Sequence, residues 1–208
     1  MKVFKLMLVA AVLAVTAPAM AQDLSFGVKA GLNFSKFKID ADGYSVSPKS
    51  IAGLNIGFYA DYNLSDLLAV ESGLSFEQKG YKTEEDGDKS TNKINYLTLP
   101  INLRANIAVG DNNLYFLAGP TFGIGLSGKW KDEEDGDKDD GSIKFGSGDD
   151  ADYKRMNVGF LIGVGYELSN NIGVRLTYDM GLSNIDSDGN SDYKVKSGAF
   201  GIAVTYKF

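Results

Sequence analysis

The final ten residues read Ala-Phe-Gly-Ile-Ala-Val-Thr-Tyr-Lys-Phe, with Phe200, Ile202, Val204, Tyr206 and Phe208 alternating with small or polar side chains up to the carboxylate. Water-soluble domains tend to end on polar, frayed residues. A β-barrel that closes in lipid has the opposite need, because its last strand must offer lipid an apolar side chain at every second position. This ending therefore predicts a barrel rather than a soluble sheet.

The same period of two recurs along the chain. Apolar even-numbered residues run from Leu24 to Phe34, Ala52 to Tyr62, Leu68 to Phe76, Met156 to Leu168 and Ile172 to Leu182. Odd-numbered ones run from Leu97 to Ile107, and a further even series runs from Leu114 to Leu126. With the terminal run, the expectation is an all-β, eight-stranded antiparallel up-and-down transmembrane barrel. Short polar segments at Asn63–Asp66, Gly110–Asn113 and Ser169–Asn171 read as tight turns. Residues 38–50, 82–93, 127–153 and 186–194 read as long loops at the other end. That rhythm matches short periplasmic turns and long extracellular loops. The alternative is a soluble sandwich or lipocalin-like barrel, whose second face would be densely charged. Here the second face is dominated by glycine.

The front of the chain differs in kind. Lys2 and Lys5 precede an apolar run from Leu6 to Val15, too short for a membrane helix, and Ala19-Met20-Ala21 has the small-x-small form of a cleavage site. Residues 1–21 are expected to be a cleaved secretory signal and 22–208 the barrel. Without cysteine there is no lipid anchor, disulfide or thiolate chemistry, and without histidine the commonest general base is missing. A net charge of -6 argues against nucleic acid as a partner. No constellation of residues suggests an enzyme or a cofactor.

Glycines such as Gly27, Gly31, Gly57, Gly163 and Gly165 fall on the inferred inner face, where they relieve crowding in a narrow barrel. Charges of both signs share that face: Lys29, Arg104, Arg175 and Lys207 against Asp61, Glu71, Glu167 and Asp179. Glu167 and Arg175 flank the Asn170-Asn171 turn and are expected to be cross-strand neighbours. The set reads either as a salt-bridged plug or as a charged constriction. An eight-stranded lumen is just wide enough for side chains to fill, which favours the plug. Pro100 and Pro120, each within a strand-like run, are expected to mark a bulge at the outer rim.

Two loops repeat Glu-Glu-Asp-Gly-Asp-Lys, at 84–89 and 133–138. Asp135, Asp137, Asp139 and Asp140 form a candidate weak divalent-cation loop, although EF-hand spacing is absent. The competing reading is a solvated loop tip. Trp130 and Tyr153 are expected in the aromatic girdle.

Several segments resemble the porin-like outer-membrane beta-barrel family widespread in Bacteroidetes, some of whose members look like the PorT component. Asn95 to Leu103 is similar to its "YL-x-[IL]-P" strand, Tyr115 to Pro120 to its "aGP" strand, Asn157 to Glu167 to its glycine-rich strand, and Phe26 to Asn33 to its "G-x-K-x-G-x-N" opening. The resemblance implies an outer-membrane location, contact with lipid, and insertion by the barrel-assembly machinery through Val204, Tyr206 and Phe208. It implies no catalytic residue. The expected role is structural or surface-interacting, with a narrow passive pore or an accessory subunit of a secretion complex as alternatives.

Overall fold

A computed structural model describes residues 23–208 apart from 42, 43, 47, 86, 87, 135, 136, 149 and 188–192. The expected signal lies outside the described residues. In chain order the strands are β1 (Leu24–Ala41), β2 (Tyr44–Val46), β3 (Lys49–Asn63), β4 (Leu68–Glu85), β5 (Asp88–Val109), β6 (Asn112–Glu134), β7 (Asp137–Ser142), β8 (Met156–Glu167), β9 (Ile172–Gly181) and β10 (Tyr193–Lys207). Eight of them follow one another around a ring in the order β1-β3-β4-β5-β6-β8-β9-β10, and β10 returns to pair with β1 from Gly27–Lys207 to Ala41–Tyr193. Every pairing within the ring is antiparallel. Closure leaves the ring no free edge, the condition for crossing a membrane with strands.

The alternation fixes which face meets lipid. Phe26, Val28, Leu32 and Phe34 on β1 are exposed on the outer wall, as are Leu97, Leu99, Ile101 and Leu103 on β5. Between them in sequence lie the inward side chains. At one end the turns are short. Gly110 takes φ 61° and Asn171 φ 68°, the left-handed conformation a tight antiparallel reversal demands.

Two tyrosines show why the inner face needs glycine. Tyr59 pairs with Gly27 and Tyr115 with Gly165 across adjacent strands. A Cβ on Gly27 would lie 2.3 Å from the Tyr59 ring, and one on Gly165 would lie 2.1 Å from the Tyr115 ring. Each ring lies over a glycine and covers its bare backbone.

At the other end much of the expected loops at 82–93 and 127–153 is strand, over residues 82–85, 88–93, 127–134 and 137–142. Pairing between β4 and β5 continues to Glu85–Asp88, and between β5 and β6 to Lys89–Glu133. Beyond the apolar belt both faces of a strand meet water, so the alternation fades while the backbone ladder continues.

The expected bulge is displaced as well. Pro100 stands opposite Thr121 and Pro120 opposite Phe160 with no register shift at either. The Pro100 carbonyl accepts a 2.9 Å bond from Ser72 Oγ. The shift lies nearer the rim, where Asn95 pairs with Ser127 but Tyr96 pairs with Gly125, leaving Leu126 extra. Leu126 and Ser127 both point outward, so Gly128 and Trp130 turn inward. Trp130 and Tyr153 are therefore not girdle residues. They pack with Phe145 and Tyr81 against a buried cluster of Phe37, Ile94, Tyr96, Ile143, Ile185 and Val195. The segment after β7 thus folds over the barrel mouth, with Tyr153 and Tyr81 hydroxyls 3.1 Å apart. Burial raises the Tyr153 hydroxyl above its ordinary pKa.

Candidate functional site: a cross-braced polar lumen

Inward residues near the short turns form a first charged layer. Arg104 on β5 donates through Nη1 to Asp61 (2.8 Å) and through Nη2 to Glu167 (3.2 Å). Its Nε donates to Asn106 Oδ1 at 2.8 Å. The guanidinium carbon lies 3.8 Å from the centroid of the Tyr115 ring, a cation–π stack. Arg175 on β9 grips Glu71 with both terminal nitrogens, at 2.8 and 2.6 Å, and its Nε donates to Tyr115 Oη at 3.1 Å. Lys207 closes the lower side, 3.8 Å from Asp61 and 3.9 Å from Glu167.

A second layer lies deeper. Lys79 on β4 meets Asp179 on β9 at 2.5 Å and Glu77 at 3.0 Å. Thr121 Oγ1 donates to Asp179 at 3.0 Å, and Thr98 Oγ1 donates to Glu77 at 3.3 Å. Lys29 on β1 is buried beside these layers.

Arg104, Glu71 and Asp61 are each 1 % exposed and Arg175 is 3 % exposed. Ions so far from water are tolerated only when paired and hydrogen-bonded. The bidentate Arg–carboxylate fork is the strongest form of such a pair. Lys29, Lys79, Arg104, Arg175 and Lys207 equal in number the carboxylates Asp61, Glu71, Glu77, Glu167 and Asp179.

The expected Glu167–Arg175 contact does not form. The reversal closes with the Leu168 N–H donating to the Ile172 carbonyl, which sets Glu167 opposite Gly173 and Arg175 opposite Gly165. The two side chains are thereby staggered, and Arg175 reaches Glu71 instead. Lys79 and Glu77 extend the network beyond the eight charges expected from the sequence. Continuing the β4 alternation beyond Phe76 places both on the inner face.

The candidate cation loop is also rearranged. Asp135 lies outside the described residues. Asp137, Asp139 and Asp140 lie on β7, opposite Glu134, Asp132 and Lys131 of β6. A strand sends successive side chains to opposite faces, so Asp139 and Asp140 diverge. No group of metal-ligating side chains forms among the described residues. At the other end, Val204, Tyr206 and Phe208 face outward. The Phe208 ring meets Tyr206 edge-on at 5.4 Å, and its N–H donates to the Phe26 carbonyl at 2.8 Å.

The profile of the outer membrane protein beta-barrel domain matches residues 7–208. The chain belongs to that family. Its place is the bacterial outer membrane, and lipid surrounds its apolar belt. Among solved structures it is similar to the attachment invasion locus protein Ail of Yersinia pestis. That match has 19 % identity and covers 89 % of this chain and 99 % of that one, at a TM-score of 0.45. OprG of Pseudomonas aeruginosa is 14 % identical over 88 % of this chain and 95 % of its own, at 0.47. Neisserial surface protein A is 14 % identical over 88 % and 97 %, at 0.46. A comparison with curated proteins finds no match.

Proposed function

We propose that the protein is a closed outer-membrane barrel whose working surface is its long outer hairpins and mouth cap, with the lumen filled by its own side chains. The observation that carries this reading is the Arg175–Glu71 fork. β4 and β9 stand on opposite sides of the ring, so this pair crosses the full diameter, and the Lys79–Asp179 pair crosses it again. The aromatic cap over the mouth adds a second closure. The hairpin and cap residues above the belt are then the part of the molecule free to meet a partner. We assign it no catalytic role.

The test is current across a planar lipid bilayer containing the folded barrel. This reading expects no steady conductance. Stepwise, salt-dependent currents that change in an Arg104→Ala or Glu71→Ala variant would replace it with a narrow passive pore. That second reading has one observation in its favour. Asn55 Oδ1, Asp61 Oδ1, Ser75 Oγ and Asn102 Oδ1 are buried in the lumen without a protein partner, and such atoms are normally satisfied by water.

Export through the general secretory route with loss of residues 1–21, and insertion by the barrel-assembly machinery through the aromatic end, complete the proposal. A place beside the Bacteroidetes and PorT-like members of the family, as an accessory to envelope secretion, is the third reading. Co-purification with large envelope proteins would support it.

A further inference from the structure

Where β1 meets β10 the outer wall turns basic just above the apolar belt. Along β1 the outward series runs Phe34, Lys36, Lys38, and along β10 it runs Phe200, Gly198, Lys196, Lys194. The register sets Lys36 opposite Gly198, Lys38 opposite Lys196 and Asp40 opposite Lys194. A cleft of about 300 Å³ opens there, lined by Lys36, Lys38, Lys196, Gly198, Tyr178 and Met180. Gly198 leaves it room, since a Cβ at that position would meet only the Lys36 carbonyl and the Tyr178 hydroxyl, both at 3.6 Å. The cleft thus has an apolar floor continuous with the lipid-facing wall and a cationic upper edge, on a chain whose net charge is -6.

We propose that this cleft binds the phosphorylated headgroup of an outer-leaflet lipid. The acyl chains lie against Phe34, Phe200 and Tyr178, and the phosphate meets Lys36 and Lys196. Three arguments converge. The change from apolar to charged along two paired strands marks the boundary between hydrocarbon and headgroups. Lysines at that height extend flexible stems over apolar surface and place their ammonium groups among lipid phosphates. An acidic protein that gathers cations on its lipid-facing wall presents charge complementary to an anionic lipid, whereas its remaining charge repels one. The assignment rests on reading the long-hairpin end as the outward end.

The test is a native mass-spectrometry titration of the detergent-folded barrel with lipid A, a phosphorylated glycolipid, and with its dephosphorylated form. A charge near an anionic surface is worth about five-fold in affinity, so Lys36→Gln with Lys196→Gln is expected to weaken lipid A binding by about 25-fold. Gly198→Leu fills the cleft without altering charge and is expected to weaken it as well. Lys93→Gln with Lys129→Gln makes the same change of charge at another outward pair and is expected to leave binding within two-fold. Dephosphorylated lipid is expected to bind as weakly as the double variant binds lipid A. Equal loss in the Lys93 and Lys129 control, or equal binding of the dephosphorylated lipid, would overturn the site. Displacement by inorganic phosphate beyond that by chloride at the same ionic strength would make a free anion the ligand and overturn the lipid assignment. Because none of these readouts depends on conductance, the proposal fails or stands separately from the closed-lumen reading.

Discussion

Arg175 and Glu71 form a two-pronged ion pair, at 2.8 and 2.6 Å, between strands on opposite sides of the barrel. The same two strands are joined again by Lys79 and Asp179 at 2.5 Å. A single Glu71 therefore holds a contact that crosses the whole section. It also lies 3.6 Å from Arg104. Glu71→Ala leaves Arg175 buried without its carboxylate partner, while Arg104 keeps Asp61 and Glu167. The expected loss is about 3–5 kcal/mol, measured by urea unfolding in lipid vesicles. Arg175→Ala is expected to cost a similar amount, and the double variant less than the sum, because the two residues share one interaction.

Gly165→Ala drives a methyl group into the Tyr115 ring, which lies between Arg104 and Arg175. Overpacking of this kind costs about 1–3 kcal/mol. The same titration detects it, and Gly27→Ala against Tyr59 is expected to behave alike. Gly198→Ala, where the nearest atoms are at 3.6 Å, is the control and is expected to change stability little.

Deleting Leu126 is expected to be tolerated. The residue is the extra member of a bulge, and without it Ser127 and Gly125 follow one another in regular register against Asn95 and Tyr96. Deleting Phe116 instead, well before the bulge, shifts the register of Leu117 to Gly125 by one residue and exchanges their inner and outer faces. The folded fraction on a heat-modifiability gel separates the two deletions.

Phe208→Ala, which keeps the N–H bond to the Phe26 carbonyl, is expected to lower the amount of barrel in the outer membrane several-fold while leaving the refolded protein within about 0.5 kcal/mol of the parent. The ring is 72 % exposed and adds little to packing. Its loss therefore separates delivery from stability, and quantitative immunoblotting of membrane fractions beside an unfolding curve reads both.

The barrel was legible because lipid enforces a strict period of two. Leu97, Leu99, Ile101 and Leu103 declare one face, and Thr98, Asn102 and Arg104 the other. Where that enforcement ends, legibility ends with it. Glu84 and Lys89 are a ladder pair, yet their segment is polar on both sides and reads as a loop. The Leu126 bulge is hidden for a different reason. One added residue between inward Gly125 and outward Ser127 leaves the apolar run unbroken, but it moves Trp130 from the expected girdle into the cap. Parity alone assigns the inner charges to a face. It does not assign their partners, since a contact between β4 and β9 depends on which strands stand opposite once the ring is closed. Nothing near Glu71 in sequence identifies Arg175.

Both trans-lumen pairs join β4 to β9, so the barrel is braced along one diameter. A thin-walled tube under lateral pressure flattens into an ellipse. This one resists shortening and lengthening along the β4–β9 axis, while the diameter from β1 to β6 has no equivalent strut among these pairs. Resistance to flattening along the β4–β9 axis is thus carried by two ion pairs across the lumen as well as by the wall.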